Sequence, residues 1–287
     1  MIENADALAI EGIISFEKLA AGYPVIRVTH PLADASIALH GAHVIDYTPA
    51  DHKPVIFTSK EAVYKSGKAI RGGIPVCWPW FSAHPTDSSL PSHGFARNKF
   101  WRLYSSAATA QGVTLVFEYR HGSLDASLIV AIGSSLTVAL HTKNISDRDE
   151  VVGGALHSYF NIGDINNVSL SGLDQVSYID SLTDTVETQQ GDITFNAELD
   201  RIYTDTKDNV MINDPVLKRD ILVQKTGSHS TVVWNPWIEK SASMGDLGNE
   251  EYNTFLCIEA ANAGEDVHTL APQQHHTLST TITARHH

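Results

Sequence analysis

The stretch GVTLVFEYR, residues 112–120, sets Val113, Leu115, Phe117 and Tyr119 on one side of an extended chain, with Thr114, Glu118 and Arg120 on the other. Alternation with period two is the mark of a half-buried strand. SLTVALHTK, residues 135–143, repeats it with Leu136, Val138 and Leu140 against Thr137, Ala139 and His141. ASIALH, ASLIVAI, STVVW, TFLCIEA and HTLSTTITA are also short, alternating or β-branched, and bounded by Gly, Asn, Asp or Pro. Long helical periodicity is missing. The pattern allows only short helices, such as one over SKEAVYKSG from Ser59, with Gly67 placed to stop it. Many short strands without a βαβ rhythm predict an all-β sandwich or barrel. No repeat, low-complexity tract or linker divides the chain, so one domain is expected over residues 1–287. The irregular stretch from Ser82 to Ser92 is too short to separate domains. His286 and His287 are assigned no role.

The 287 residues carry 33 acidic against 20 basic side chains, a net charge of −13. Nucleic acid is therefore not an expected partner, because phosphate backbones are bound through basic surface. An anionic ligand needs a local pocket of positive charge. No apolar run approaches the roughly 18 residues of a membrane span. MIENADALAI lacks a basic segment followed by an apolar core, so a cytoplasmic protein is expected. Cys77 and Cys257 are then expected as two buried free thiols. A monomer is the expected state.

Three places hold titratable side chains in apolar or glycine-rich settings. RGGIPVCWPW, residues 71–80, and SHGFARNKFW, residues 92–101, set Arg71, His93 and Arg97 among Pro75, Pro79, Pro91, Trp78, Trp80 and Trp101. Arginine is shaped for bidentate contact with phosphate or carboxylate, and Gly72 and Gly73 admit a ligand close to the backbone. The same arginines could equally pair with neighbouring acids. In VVGGALHSYF, His157 shares a strand face with Ala155 and Tyr159; a hydrogen-bonded core histidine is the plainer reading. In TFLCIEAAN, Glu259 follows Phe255 and Cys257 along one face, and a carboxylate in so apolar a strand needs a partner. The pair His40 and His43 in HGAH has metal-ligand spacing, but no second cluster, HExxH or CxxC supplies more ligands, so no metal is expected. The absence of a GxGxxG, a P-loop or a GxSxG removes the common nucleotide and serine-hydrolase readings.

Taken together, RGGIPVCWPWF, HGFARNKFW, ALHSYFNIGDI, ELDRIY, VWNPWIEKSASMGDLG and CIEAANAG resemble the D-hexose-6-phosphate mutarotases, the phosphosugar branch of the aldose 1-epimerase (galactose mutarotase-like) superfamily. The blocks run in order from about residue 70 to residue 264. The resemblance implies a large single-domain β-sandwich, a supersandwich with its cleft on the concave face, and interconversion of the α and β anomers of a hexose 6-phosphate without a cofactor. By the same resemblance, His157 is the general acid and Glu259 the general base. Arg71 and Arg97 bind the phosphate, while His93 and Asp200 contact sugar hydroxyls.

That chemistry needs one base at the C1 hydroxyl and one acid at the ring oxygen. Glu259, ionised near neutrality, suits the first role. The expectation for His157 is a pKa raised by Glu259 and the incoming phosphate. Arginine forks lacking their anion would be poorly satisfied, which would select phosphorylated sugars. The rival readings are a non-catalytic sugar-phosphate sensor, a mutarotase of neutral aldoses, and a carbohydrate lyase or hydrolase on a similar sandwich, whose paired carboxylates are not recognisable here.

Overall fold

A computed structural model describes residues 5–19 and 22–287. The alternating segments pair as antiparallel sheets. An eight-stranded sheet runs in the spatial order Ser169–Ser171, Val210–Asp214, Arg219–Thr226, His275–His286, Leu136–Asn144, Leu124–Ile132, Gly112–His121, Arg102–Thr109. A seven-stranded sheet runs Thr185–Thr188, Ser177–Asp180, Leu199–Tyr203, Ser230–Asn235, Phe255–Asn262, Gly154–Asn161, Val76–Cys77. A four-stranded meander over Ile14–Lys18, Pro24–His30, Ala33–Ala38 and His43–Pro49 forms a third sheet, whose Ile26, Val28 and Ile37 join the core that the other two share.

Side-chain alternation decides what each sheet buries. Leu115, Phe117, Leu128, Val130, Val138 and Leu140 of the larger sheet share one hydrophobic core with Leu156, Phe160, Leu256, Ile258 and Val233 of the smaller. On the larger sheet's other face, Thr137 and Thr281 hydroxyls meet at 2.9 Å and Arg102 pairs with Glu118 at 2.7 Å, a solvated polar surface. The central strands of the smaller sheet have no such polar back. Every residue of Phe255–Asn262 and of Ser230–Asn235 is buried. Its second face carries Phe57, Tyr159, Trp234, Leu247, Phe255 and Cys257 in one cluster, and Cys77, Ala155, Val232, Ala261 and Ala263 in another. A sheet covered on one face by the core and on the other by loops leaves room for a lined cleft.

The expected helix over SKEAVYKSG does not form. Residues 59–67 make turns and irregular chain, in which Gly67 sits at φ 80° and donates its N–H to His40 Nε2 at 3.0 Å. Nearby tertiary contacts override the weak local signal: Ser59 Oγ and the Lys60 N–H both donate to the Glu251 carboxylate, at 2.5 and 2.9 Å. A helix does form at Trp237–Ser243, where Pro236 and the Asn235 side chain, accepting from the Trp237 N–H at 2.9 Å, start it. No helix among the described residues is long and apolar enough to cross a membrane. Cys77 and Cys257 are both free and buried.

The turn at residues 71–74 lies alongside the strand Gly154–Asn161, where the Gly73 carbonyl accepts from the Tyr159 N–H at 2.9 Å. His43, fully buried, donates from Nε2 to the Gly72 carbonyl at 2.8 Å. Gly73 adopts φ 71°, donates to the Phe57 carbonyl at 2.6 Å, and packs so tightly that a Cβ would collide with the His43 imidazole and the Val44 carbonyl. Gly73→Ala is expected to cost about 2–4 kcal/mol, combining left-handed strain with overpacking, and urea unfolding measures it. An unchanged midpoint would contradict this packing.

Burial pushes the His43 pKa down to about 3, against the pull of the Gly72 carbonyl. The unfolded chain takes up this proton near pH 6.5, whereas the folded chain refuses it until about pH 3. Stability from His43 is therefore full above pH 6.5 and declines as the pH falls below it, by up to about 1.4 kcal/mol per pH unit. His43→Gln is expected to flatten the pH dependence of the unfolding free energy between pH 6 and 4, and parallel slopes for the two proteins would contradict it.

Candidate active site

The register of the smaller sheet assembles the site. Gly154–Asn161 pairs antiparallel with Phe255–Asn262 so that His157 lies directly opposite Glu259 and Tyr159 opposite Cys257. All four point away from the main core, because their neighbours Leu156, Phe160, Leu256 and Ile258 point into it. His157 Nε2 and Glu259 Oε1 are 3.3 Å apart, with side chains 12% and 2% exposed. His157 Nδ1 and Glu259 Oε2 are buried and have no hydrogen-bond partner among the described residues. An unpaired buried polar atom costs about 1–3 kcal/mol, so one on each member of a contacting pair is a feature that a ligand could satisfy.

The chain brings the arginine segments to the same spot through backbone pairing. Tyr159 and His157 donate their N–H groups to the carbonyls of Gly73 and Pro75, at 2.9 and 3.1 Å. Arg71 is thereby laid beside Tyr159. Trp78, further along, accepts from the N–H groups of Phe95 and Ala96 through its carbonyl, which locks HGFAR against the same edge. The indole groups of Trp78 and Trp101 are buried and donate to Thr142 Oγ1 and the Ala96 carbonyl, so both act as scaffold. His93 sits at φ 64°, its ring centroid 6.2 Å from that of His157. The Ser82 N–H donates to His93 Nδ1 at 3.2 Å, which makes Nε2 the protonated nitrogen of a neutral ring. Asp200 pairs across Leu199–Tyr203 with Trp234, which in turn lies opposite Cys257. Its charge reaches Glu259.

All six residues singled out in the sequence thus gather on one sheet face, but their charges differ from expectation. His157 is held well below the usual imidazole range, chiefly by burial, then by His93, Arg97 and Arg71. The Glu259 field does not raise it, because desolvation of the imidazolium dominates. Glu259 is pushed well above the carboxylate range by burial and by Asp200, with Arg97 opposing. Both shifts favour the neutral members of the pair, a carboxylic acid beside an imidazole. That form has the same proton count as carboxylate with imidazolium, and one proton shift across the 3.3 Å contact converts them. Burial, then Arg97 and Arg71, lower His93 to about 3.

The arginines also differ from one another. Arg71 is not an empty fork: Nε and Nη2 donate to the Asp246 carboxylate at 3.1 and 3.4 Å, and Nη1 donates to the Tyr159 hydroxyl at 3.1 Å. Selection by an unsatisfied guanidinium therefore does not apply to Arg71. It suits Arg97, whose Nε is buried without a partner and whose Nη2 reaches only the Ser92 carbonyl, at 3.0 Å. Lys99 is exposed. Asp246 follows Gly245 in MGDLG, within the block VWNPWIEKSASMGDLG. The HGAH histidines serve the fold, since His43 braces Gly72 and His40 accepts from Gly67. No group of three metal-ligating side chains occurs among the described residues. Two hollows, of about 470 and 910 Å³, are lined by other residues and include neither His157 nor Glu259.

The family model for aldose 1-epimerase matches residues 24–283. The chain is 39% identical over 250 residues to a protein of Escherichia coli strain K12 named "Putative glucose-6-phosphate 1-epimerase", with 84% of each chain covered. It is 37% identical over 261 residues to a protein of the same name from Salmonella typhimurium, covering 87% of this chain and 85% of that one. Among solved structures, a "putative mutarotase" from Salmonella typhimurium superposes with a TM-score of 0.91 at 32% identity, covering 98% of this chain and 96% of the other. A structure from Escherichia coli K12, "Putative aldose 1-epimerase", shares the fold at 15% identity with a TM-score of 0.72, over 92% of this chain and 99% of that one. With this sheet, this face and these matches, the chain belongs to the aldose 1-epimerase family.

Proposed function

We propose that the protein is a hexose-6-phosphate mutarotase, acting on glucose 6-phosphate or a close relative by acid–base opening and closure of the ring. The observation that carries this reading is the His157–Glu259 contact of 3.3 Å on a sheet face flanked by Arg71 and Arg97. The substrate named for its relatives in Escherichia coli and Salmonella typhimurium supports the phosphosugar assignment.

Glu259 takes the proton of the C1 hydroxyl while His157 gives one to the ring oxygen, and the ring C1–O5 bond breaks as the aldehyde forms. Rotation about C1–C2 presents the other face of the carbonyl. On closure the C5 hydroxyl returns its proton to His157, and Glu259 protonates the new C1 oxygen, so both groups end as they began. Phosphate binding prepares the pair. The fields of Arg97 and Arg71 help to hold His157 neutral. A dianion bound between them cancels those fields. Arg97 acts on both members of the pair, so it is the loss of the Arg71 field, which depresses His157 and not Glu259, that draws the shared proton toward His157 and leaves base and acid in their working forms. His93, neutral with a protonated Nε2, and Asp200 serve as donor and acceptor for ring hydroxyls. Two buried free thiols suit a reducing cytoplasm.

NMR exchange spectroscopy on equilibrated glucose 6-phosphate is expected to show α–β cross-peaks that depend on the protein. Comparable rates on unphosphorylated glucose would contradict the phosphosugar reading. Glu259→Gln removes the base while keeping the shape, and is expected to lower turnover about 10²–10⁴-fold; near-full activity in this variant would rule out the acid–base pair. Arg97→Ala is expected to raise KM for glucose 6-phosphate about ten- to a hundredfold, the scale of a charge-assisted hydrogen bond. Steady-state kinetics decides it, and an unchanged KM would remove Arg97 from the phosphate site.

A further inference from the structure

The Tyr159 ring is fixed on every side. It stacks on the His157 imidazole with centroids 4.8 Å apart at 9°, meets Trp234 edge-on at 6.0 Å, and packs against Phe57 and Phe255. Its hydroxyl accepts from Arg71 Nη1 at 3.1 Å, yet its own proton has no acceptor among the described residues. A buried hydroxyl with an idle proton is costly unless a ligand completes it. On the far side of the guanidinium, Asp246 occupies Nε and Nη2, turning the remaining edge of Arg71 toward Tyr159. The Arg71 side chain is 26% exposed, so its open N–H positions can be reached from solvent.

The order of groups is therefore Asp246, Arg71, Tyr159, His157, Glu259, with the proton-transfer pair at one end and the charged fork at the other. A hexose 6-phosphate spanning them, on the reading proposed above, puts phosphate oxygens at Arg71. Oxygens on one phosphorus are close enough for one to take a guanidinium N–H and its neighbour the phenol proton. We infer that the Tyr159 hydroxyl is a phosphate-contacting, specificity-determining donor, and that Asp246 is the positioning residue that aims Arg71 at it. A carboxylate beside a phosphate site looks counterproductive on charge alone. Here it holds one edge of a mobile side chain so that the other edge and the phenol form a single rigid donor set.

Titration calorimetry with inorganic phosphate tests this without requiring turnover. Tyr159→Phe keeps the stack and deletes the hydroxyl, and is expected to weaken phosphate binding about ten- to a hundredfold. Its KM for glucose 6-phosphate is expected to rise by a similar factor, with a smaller fall in kcat. Asp246→Asn, on a partly exposed loop, is expected to weaken phosphate in the same direction, while Asp246→Glu recovers most of the loss. In the double variant the two effects are expected not to add, because both act through one guanidinium. Wild-type phosphate affinity in Tyr159→Phe overturns the phenol contact, and additive losses overturn the role of Asp246. Failure of the unaltered protein to interconvert phosphosugar anomers would instead count against the proposed reaction, and the titrations would still judge the donor set.

Discussion

The cross-strand pairing of His157 with Glu259 is the constraint on which the site depends. In an antiparallel pair, residues directly opposite share a face, and a slip of one position turns every side chain to the other side. Such a slip would drive both titratable groups into the shared hydrophobic core and bring Leu156, Phe160, Leu256 and Ile258 into the cleft. The large apolar area on the core side therefore sets the register, and the register sets the chemistry.

Burial then does electrostatic work. The protein carries a net charge of −13, yet the groups around His157 are two arginines and a second imidazole. Out of water their mutual fields are strong, and the cost of an isolated charge is high. Burial settles this in favour of neutral His157 and Glu259. Arg71 is partnered by Asp246, and Arg97 is left with an unmet buried N–H. On the proposed reading a phosphate supplies the anion that Arg97 lacks, and the same charge moves the shared proton, so that binding at one end of a sugar is coupled to acid–base readiness at the other.

Much of this was legible in the sequence because period-two alternation is a strong signal. The strands at GVTLVFEYR and SLTVALHTK, and the faces of His157 and Glu259, follow from it directly. The family blocks named the six residues that gather on one face. Two things were not legible. The short helix over SKEAVYKSG gave way to contacts with Glu251, which lies about 190 residues away in the chain. Local propensity says nothing about such a partner. The partnership of Arg71 with Asp246 and Tyr159 is likewise a matter of three-dimensional placement, although Tyr159 already shared a predicted face with His157. The low pKa of His157 without a bound anion was not legible for a related reason: the pull of a nearby carboxylate can be guessed from residue types, whereas the depth of burial cannot.

The most direct test of the account is a titration of His157 followed by ¹⁵N NMR in protein with labelled histidines, with and without saturating glucose 6-phosphate. The account predicts an imidazole that titrates well below the ordinary histidine range in the free protein and a displacement toward imidazolium when the sugar phosphate is bound. An imidazole that titrates near pH 6.5 in the free protein, or that ignores the ligand, would contradict it.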